Sequence, residues 1–124
     1  MIQLKSFMSF LLIVSLTFTF CKKDEETAVE NLTAEWSSTV IKIDGVVAPS
    51  TITILLHLQS TNQYEISTNI SPFTHPKSGS WSVNIAGDKL TLEGNVWTIH
   101  HLDGSTMRIS SEVDGREIEI DFAK

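Results

Sequence analysis

The stretch Arg116-Glu-Ile-Glu-Ile-Asp-Phe122 alternates charged and apolar side chains at every step after Arg116. In an extended chain its two isoleucines and Phe122 face one side, and its three carboxylates face the other. Such alternation is typical of an antiparallel strand that has one buried and one solvated face. The stretch therefore predicts a β-strand at the edge of an apolar core.

Seven further stretches rich in β-branched and aromatic residues precede it, at 36–43, 51–58, 63–70, 80–85, 89–92, 96–102 and 106–111. Short Gly-, Asn- and Asp-containing turns separate most of them, and these residues accept the positive φ of tight hairpins. The pattern predicts an all-β fold of eight meandering strands. These strands can close into an antiparallel up-and-down barrel, and an open immunoglobulin-like sandwich is the alternative.

The first twenty residues differ from the rest of the chain. Lys5 precedes an uncharged apolar run from Phe7 to Phe20, which is the layout of a cleaved secretory signal peptide. The run is shorter than the ~20 residues that a membrane-spanning helix needs. Residues 1–20 are therefore predicted to be a signal peptide.

Cys21 is the only cysteine, and it directly precedes Lys-Lys-Asp-Glu-Glu. This junction resembles a bacterial lipoprotein signal, in which the cysteine carries the lipid, although Phe20 stands where Gly, Ala or Ser is usual. The acidic stretch also resembles a tag that exports lipoproteins to the surface of the outer membrane. Residues 21–30 are predicted to be a lipid-anchored flexible tether, and residues 31–124 the barrel domain. The predicted location is the cell envelope, at the outer membrane, on its periplasmic side or at the cell surface.

Several short motifs between residues 31 and 124 carry a family resemblance. They are Leu32-Thr-Ala-Glu-Trp36, Gly79-Ser-Trp-Ser-Val83, Asp88-Lys-Leu-Thr-Leu92, Trp97-Thr-Ile99 and Met107. Their order and spacing are similar to those of the small lipocalin-like domains of Gram-negative bacterial lipoproteins, with Ala34 in place of a glycine. The resemblance implies an eight-stranded up-and-down barrel and implies little about activity.

The links between the predicted strands differ in length at the two ends of such a barrel. The first-to-second link (44–50) and the third-to-fourth link (71–78) are the longest, hold all three prolines and share one end. Because ligands enter barrels at their mouths and function concentrates on loops, we expect a ligand-binding mouth at this end. Its predicted residues are Val46, Val47, Pro49, Phe73 and His75.

Composition and motifs exclude several functions. Without residues 1–20, eight Lys+Arg stand against fifteen Asp+Glu, which argues against nucleic-acid binding. His100 and His101 are adjacent on a strand and point to opposite faces, so no metal site is predicted. Neither a Gly-x-Ser-x-Gly elbow nor a phosphate-binding glycine loop is present, so neither an enzyme nor a cofactor is predicted.

Two functions remain after these exclusions. The first is a lipid-anchored envelope protein whose barrel binds a small apolar or amphipathic ligand at its open end. The alternative is a structural or protein-interaction module whose barrel is filled with side chains, because eight-stranded barrels range from filled interiors to interiors that hold one small ligand. The predicted partners are a membrane, through lipid on Cys21, and a small hydrophobic ligand.

Overall fold

The computed structural model describes residues 24–71 and 74–124. The predicted signal peptide, Cys21, Pro72 and Phe73 lie outside the described residues. The described part of the chain contains one helix, α1 (residues 24–32), and nine strands. The strands are β1 (Ala34–Ile43), β2 (Val46–Val47), β3 (Ile54–Leu58), β4 (Gln63–Thr68), β5 (Ser78–Val83), β6 (Lys89–Leu92), β7 (Asn95–Leu102), β8 (Thr106–Val113) and β9 (Arg116–Ala123).

The sheet closes on itself because β1 pairs with β9 as well as with β3. All pairings are antiparallel, and apart from the two-residue β2 each strand pairs with its neighbours in the chain. The result is a closed eight-stranded up-and-down barrel, which leaves no open edge among its long strands. The predicted all-β barrel is confirmed, and the open sandwich is excluded.

Closure depends on a β-bulge in β1. Trp36 and Ile41 are both buried although they are five residues apart, an odd spacing that a regular strand would place on opposite faces. The pairing of β1 with β9 shifts between Ser38 and Val40, so one extra residue turns the second half of β1 inward again. Ile41 and Ile43 therefore join the inner face that Trp36 begins.

The link predicted over 44–50 contains β2, which is a correction to the sequence prediction. Asp44 and Gly45 have φ of 50° and 80°, the two positive values that a tight two-residue hairpin turn requires. The turn folds Val46 and Val47 back onto the end of β1. The next strand consequently begins at Ile54 and not at Thr51.

The segment predicted as a flexible tether is also corrected, because it is helical from residue 24. Ala28 and Leu32 lie four residues apart on one helix face and are buried in the core. A Cβ on Gly87 would lie 3.1 Å from Ala28 Cβ and 3.3 Å from the Asp24 carbonyl oxygen, so α1 packs against the β5–β6 link. Within the part of the chain that the structure describes, no helix is long and apolar enough to cross a bilayer.

The barrel therefore has two different ends. The helix end carries α1 and the links β3–β4, β5–β6 and β7–β8. The loop end carries the β1–β3 and β4–β5 links and the tight turns β6–β7 and β8–β9. A concavity at an end of the barrel therefore lies either beside α1 or among the long links.

Candidate functional site

The two long links meet at the loop end. The Asn69 side chain accepts a hydrogen bond from the Thr53 backbone N–H (2.9 Å) and donates one to the Thr51 carbonyl oxygen (2.7 Å). Asn69 therefore ties the β4–β5 link to the β1–β3 link. The loop end is a joined structure and not two independent loops.

A concavity of about 360 Å³, here called the mouth, opens at this end. Four apolar side chains that pack against the core line it, together with four polar or charged residues. The apolar residues are Ile43, Ile70, Val113 and Ile118; the others are Ser71, Thr74, Asp114 and Arg116. Ile43 and Ile118 are directly paired across β1 and β9, so the mouth has an apolar wall built on sheet backbone.

Three of these apolar residues, Ile43, Val113 and Ile118, form the last inward layer of the barrel strands, and Ile70 follows the end of β4. Ile118 continues the inner face of Ile120 and Phe122, and Val113 continues that of Met107 and Ile109. The mouth is therefore the solvent-side end of the barrel interior. Its strand residues Ile43, Val113 and Ile118 could be predicted from the sequence as the inward positions nearest the loop-end turns. A search restricted to loop residues misses them.

The structure places the predicted mouth residues differently. Val46 and Val47 are 70% and 61% exposed on β2, and Pro49 is exposed in the following turn. None of the three lines the mouth, because the β1–β2 hairpin turns them towards solvent. Phe73 lies outside the described residues. Of the four predicted residues that the structure describes, His75 alone enters the barrel, and it is buried rather than on the rim.

His75 is held among aromatic rings. The Trp97 indole Nε1–H donates to His75 Nε2 at 3.2 Å, and the two ring centroids are 5.7 Å apart. The Tyr64 ring lies 6.3 Å away in an edge-on arrangement. His75 Nδ1 is 2.8 Å from the Pro76 carbonyl oxygen, which also accepts the Tyr64 hydroxyl at 2.9 Å. The β4–β5 link is thereby fastened to the barrel interior.

This arrangement fixes the protonation of the imidazole. The indole N–H can only donate, so His75 Nε2 accepts and the proton of the neutral ring sits on Nδ1, facing Pro76. Burial lowers the pKa of His75 below 6.5, and the hydrogen bond to Pro76 acts in the opposite direction. Burial therefore favours the neutral imidazole that accepts the hydrogen bond from Trp97. Burial, with the charge of Glu93 as a smaller cause, raises the pKa of Tyr64.

The interior below the mouth is occupied by side chains. Large residues buried there include Trp36, Tyr64, Trp81, Trp97 and Phe122. Four further concavities, of about 270 to 510 Å³, lie on the outer strand faces or beside α1. The mouth lies at the loop end and has four side chains in its wall that pack against the core. A ligand there would rest on these side chains rather than enter a deep cavity.

The outer face carries polar clusters whose contacts are structural. Arg108 makes a two-point contact with Asp121, at 2.6 and 3.2 Å, across β8 and β9. Asp103 accepts hydrogen bonds from the backbone N–H groups of Ser105 and Thr106, which hold its pKa far below the usual range. Among the described residues, no three His, Cys, Asp or Glu side chains are grouped as metal ligands would be.

Comparisons with protein-family models, with curated proteins and with solved structures found no match to this chain.

Proposed function

We propose that the protein is a lipid-anchored cell-envelope protein that binds a small apolar or amphipathic molecule in the mouth, and that it acts by binding rather than by catalysis. The mouth is the observation that carries the proposal. Its volume of about 360 Å³ lies within the ~300–1,000 Å³ range of small-molecule sites. Apolar walls beside a few polar groups are the usual composition of such sites.

The polar residues of the mouth suggest an amphipathic ligand. Arg116 and Asp114 lie at the β8–β9 turn and line the mouth on one side, and Ser71 and Thr74 line it on the other. An apolar part would pack on the isoleucines, and a polar part would reach these groups at the rim. The filled interior limits the ligand to a small molecule.

The position of α1 fits the proposed anchor. The helix begins three residues after Cys21 and packs at the end of the barrel opposite the mouth. A lipid on Cys21 would hold the helix end next to the membrane and leave the mouth facing away from it. The proposed location is therefore the cell envelope, at the outer membrane, with the mouth open to the periplasm or to the medium.

A second candidate is a structural or protein-interaction module. The observation that favours it is the interior filled with aromatic and aliphatic side chains. If the protein is such a module, the exposed side chains of Val46 and Val47 on β2 would contact a partner protein, and the mouth would bind no ligand.

Mass spectrometry of the protein purified from membranes of a bacterium that expresses the full chain tests these proposals separately. A covalent mass excess under denaturing conditions, lost in a Cys21→Ser variant, supports the anchor. A further excess seen only under native conditions supports a bound ligand. A bare polypeptide mass under native conditions, repeated after incubation with lipid extracts, would favour the interaction module.

Ile118→Asp is expected to weaken binding of a neutral apolar probe, N-phenyl-1-naphthylamine, by ~10- to 100-fold. The carboxylate would stand in the apolar wall, and losing one buried aliphatic contact costs ~1.5–3 kcal/mol. The matched control is Ile85→Asp, because Ile85 is exposed at the helix end and its replacement should leave binding unchanged. Fluorescence titration measures both affinities, and equal effects in the two variants would place the probe outside the mouth.

A further inference from the structure

Arg116 is the first residue of β9, and its position on the strand belongs to the inner face of the barrel. Ile118, Ile120 and Phe122 follow it at intervals of two and lie in the core or against it, so strand alternation places Arg116 on the same side. Arg116 is also paired with Val113 across β9 and β8, and both residues line the mouth. The inner face of β9 therefore ends at the mouth with a cation.

The other basic residues of the described strands belong to the outer face. Lys42, Lys89 and Arg108 each alternate with buried or half-buried apolar residues of their strands. Arg108 is held by its two-point contact with Asp121. The Arg116 side chain, in contrast, is exposed and forms no ion pair within the described part of the chain. Its guanidinium therefore keeps its hydrogen-bond donors for water or for a ligand.

The Asp114 carboxylate also lines the mouth, but the turn accounts for this residue. Asp114 and Gly115 have φ of 56° and 79°, the two positive values of a tight hairpin turn, in which Asp-Gly is a favoured pair. The same pair forms the β1–β2 turn at Asp44, and Asp44 does not line the mouth. The backbone conformation thus explains the aspartate, whereas Arg116 lies outside the turn and its charge has no such local reason.

We propose that the ligand of the mouth is an amphipathic monocarboxylate, whose carboxylate binds the Arg116 guanidinium and whose apolar part packs on Val113 and Ile118. This inference names the ligand class of the proposed binding site and rests on that proposed function. A planar guanidinium can donate two parallel hydrogen bonds to one carboxylate. Because the negative charge of Asp114 is also at the rim, a single cation suits one negative charge better than the two of a phosphate monoester.

Exposure of Arg116 limits the strength of the ion pair. Water and salt screen charges at a protein surface, so most of the affinity would come from the apolar wall. We expect a carboxylate to bind about three- to tenfold more tightly than a neutral head on the same chain. The preference should shrink as the salt concentration rises, because screening weakens the ion pair and leaves the apolar contacts intact.

The chain contains only two arginines, which gives the experiment an internal control. Arg108 Nε already donates to Asp121 at 2.6 Å. In ¹⁵N-labelled protein at pH 6.5, octanoate should shift the Arg116 Nε–H signal and the backbone N–H signals of residues 113–118, and leave the Arg108 Nε–H signal unchanged. Octan-1-ol should shift the same backbone signals with a dissociation constant about three- to tenfold higher. Octylammonium, which carries the opposite charge, should bind less tightly than octanoate.

Three variants separate contact with Arg116 from the general charge of the protein. Arg116→Gln should abolish the preference for octanoate and leave the affinity for octan-1-ol unchanged. Lys89→Gln is the matched control, because it removes the same charge from an exposed residue at the helix end and should leave the preference intact. Asp114→Asn keeps a residue that tolerates the turn conformation and should strengthen octanoate binding, because a like charge leaves the rim.

The outcomes distinguish the ligand class from the binding function. Equal affinities for octanoate and octan-1-ol in the wild type would leave the mouth as a binding site and overturn the carboxylate. A preference that persists in Arg116→Gln, or that Lys89→Gln removes as well, would also overturn it. If neither ligand shifted the signals of residues 113–118, the proposed function would fail together with the inference. Should Arg116→Gln fail to fold, the three ligands and the two arginine signals of the wild type decide the question.

Discussion

Replacing Leu32 with alanine is expected to lower the free energy of unfolding by about 2–5 kcal/mol, the range for removing a buried leucine. Leu32 is fully buried in the last turn of α1, and its carbonyl oxygen accepts the Trp36 indole N–H at 2.9 Å. The side chain closes the helix end of the barrel together with Ala28. Chemical denaturation followed by tryptophan fluorescence measures the change.

Val29→Ala is the control within the same helix. Val29 is 37% exposed on another face of α1, and surface substitutions usually change stability by no more than ~0.5 kcal/mol. A pronounced difference between the two variants means that α1 is part of the folded domain. If both variants changed the free energy of unfolding by the same small amount, the segment would instead behave as a flexible tether.

The strands were predictable because their signal is local. Alternation in the segment that became β9, and in β6, required only the period of two, and their bounds were predicted to within a residue. Closure of the barrel was harder, because it depends on the bulge in β1. Nothing in the order Ser37-Ser-Thr-Val40 marks an extra residue, and the shift appears only when β1 is paired with β9.

Helix α1 was missed because its apolar signal is sparse. Ala28 and Leu32 are the only two core positions in the segment, and charged residues fill most of the others. Such a composition is also that of a disordered linker. Tertiary packing against Gly87 and the helix end of the barrel orders the helix, and no local pattern reveals such packing.

Some residues of the candidate site could likewise be predicted from the sequence, and others could not. Ile118 and Val113 follow from strand alternation once the loop-end turns are known. The burial of His75 does not, because it depends on the path of the β4–β5 link and on an indole N–H that Trp97 directs into the barrel. The composition of the loops predicted where the two long links would lie. It did not predict which side chains of these links would turn towards the barrel interior.

Trp36→Ala is expected to lower the free energy of unfolding by about 3–5 kcal/mol, a large share of the ~5–15 kcal/mol of a typical domain. The indole is fully buried, donates to the carbonyl oxygen of Leu32, and lies beneath Lys124, whose Nζ is 5.0 Å from the ring centroid. It thus connects α1, β1 and the residue after β9. Its loss would leave a cavity that three elements share.

Two smaller changes separate the contributions of this indole. Trp36→Phe keeps an aromatic ring but removes the N–H, and an acceptor left without its donor costs ~1–3 kcal/mol. Lys124→Met keeps most of the aliphatic stem and removes only the cation, worth ~0.5–1 kcal/mol at an exposed site. The denaturation midpoint should therefore be highest for Lys124→Met, lower for Trp36→Phe and lowest for Trp36→Ala. If Trp36→Ala cost no more than Lys124→Met, the helix end would not be closed around this ring. The docking of α1 at the end of the barrel opposite the mouth would then lose its support.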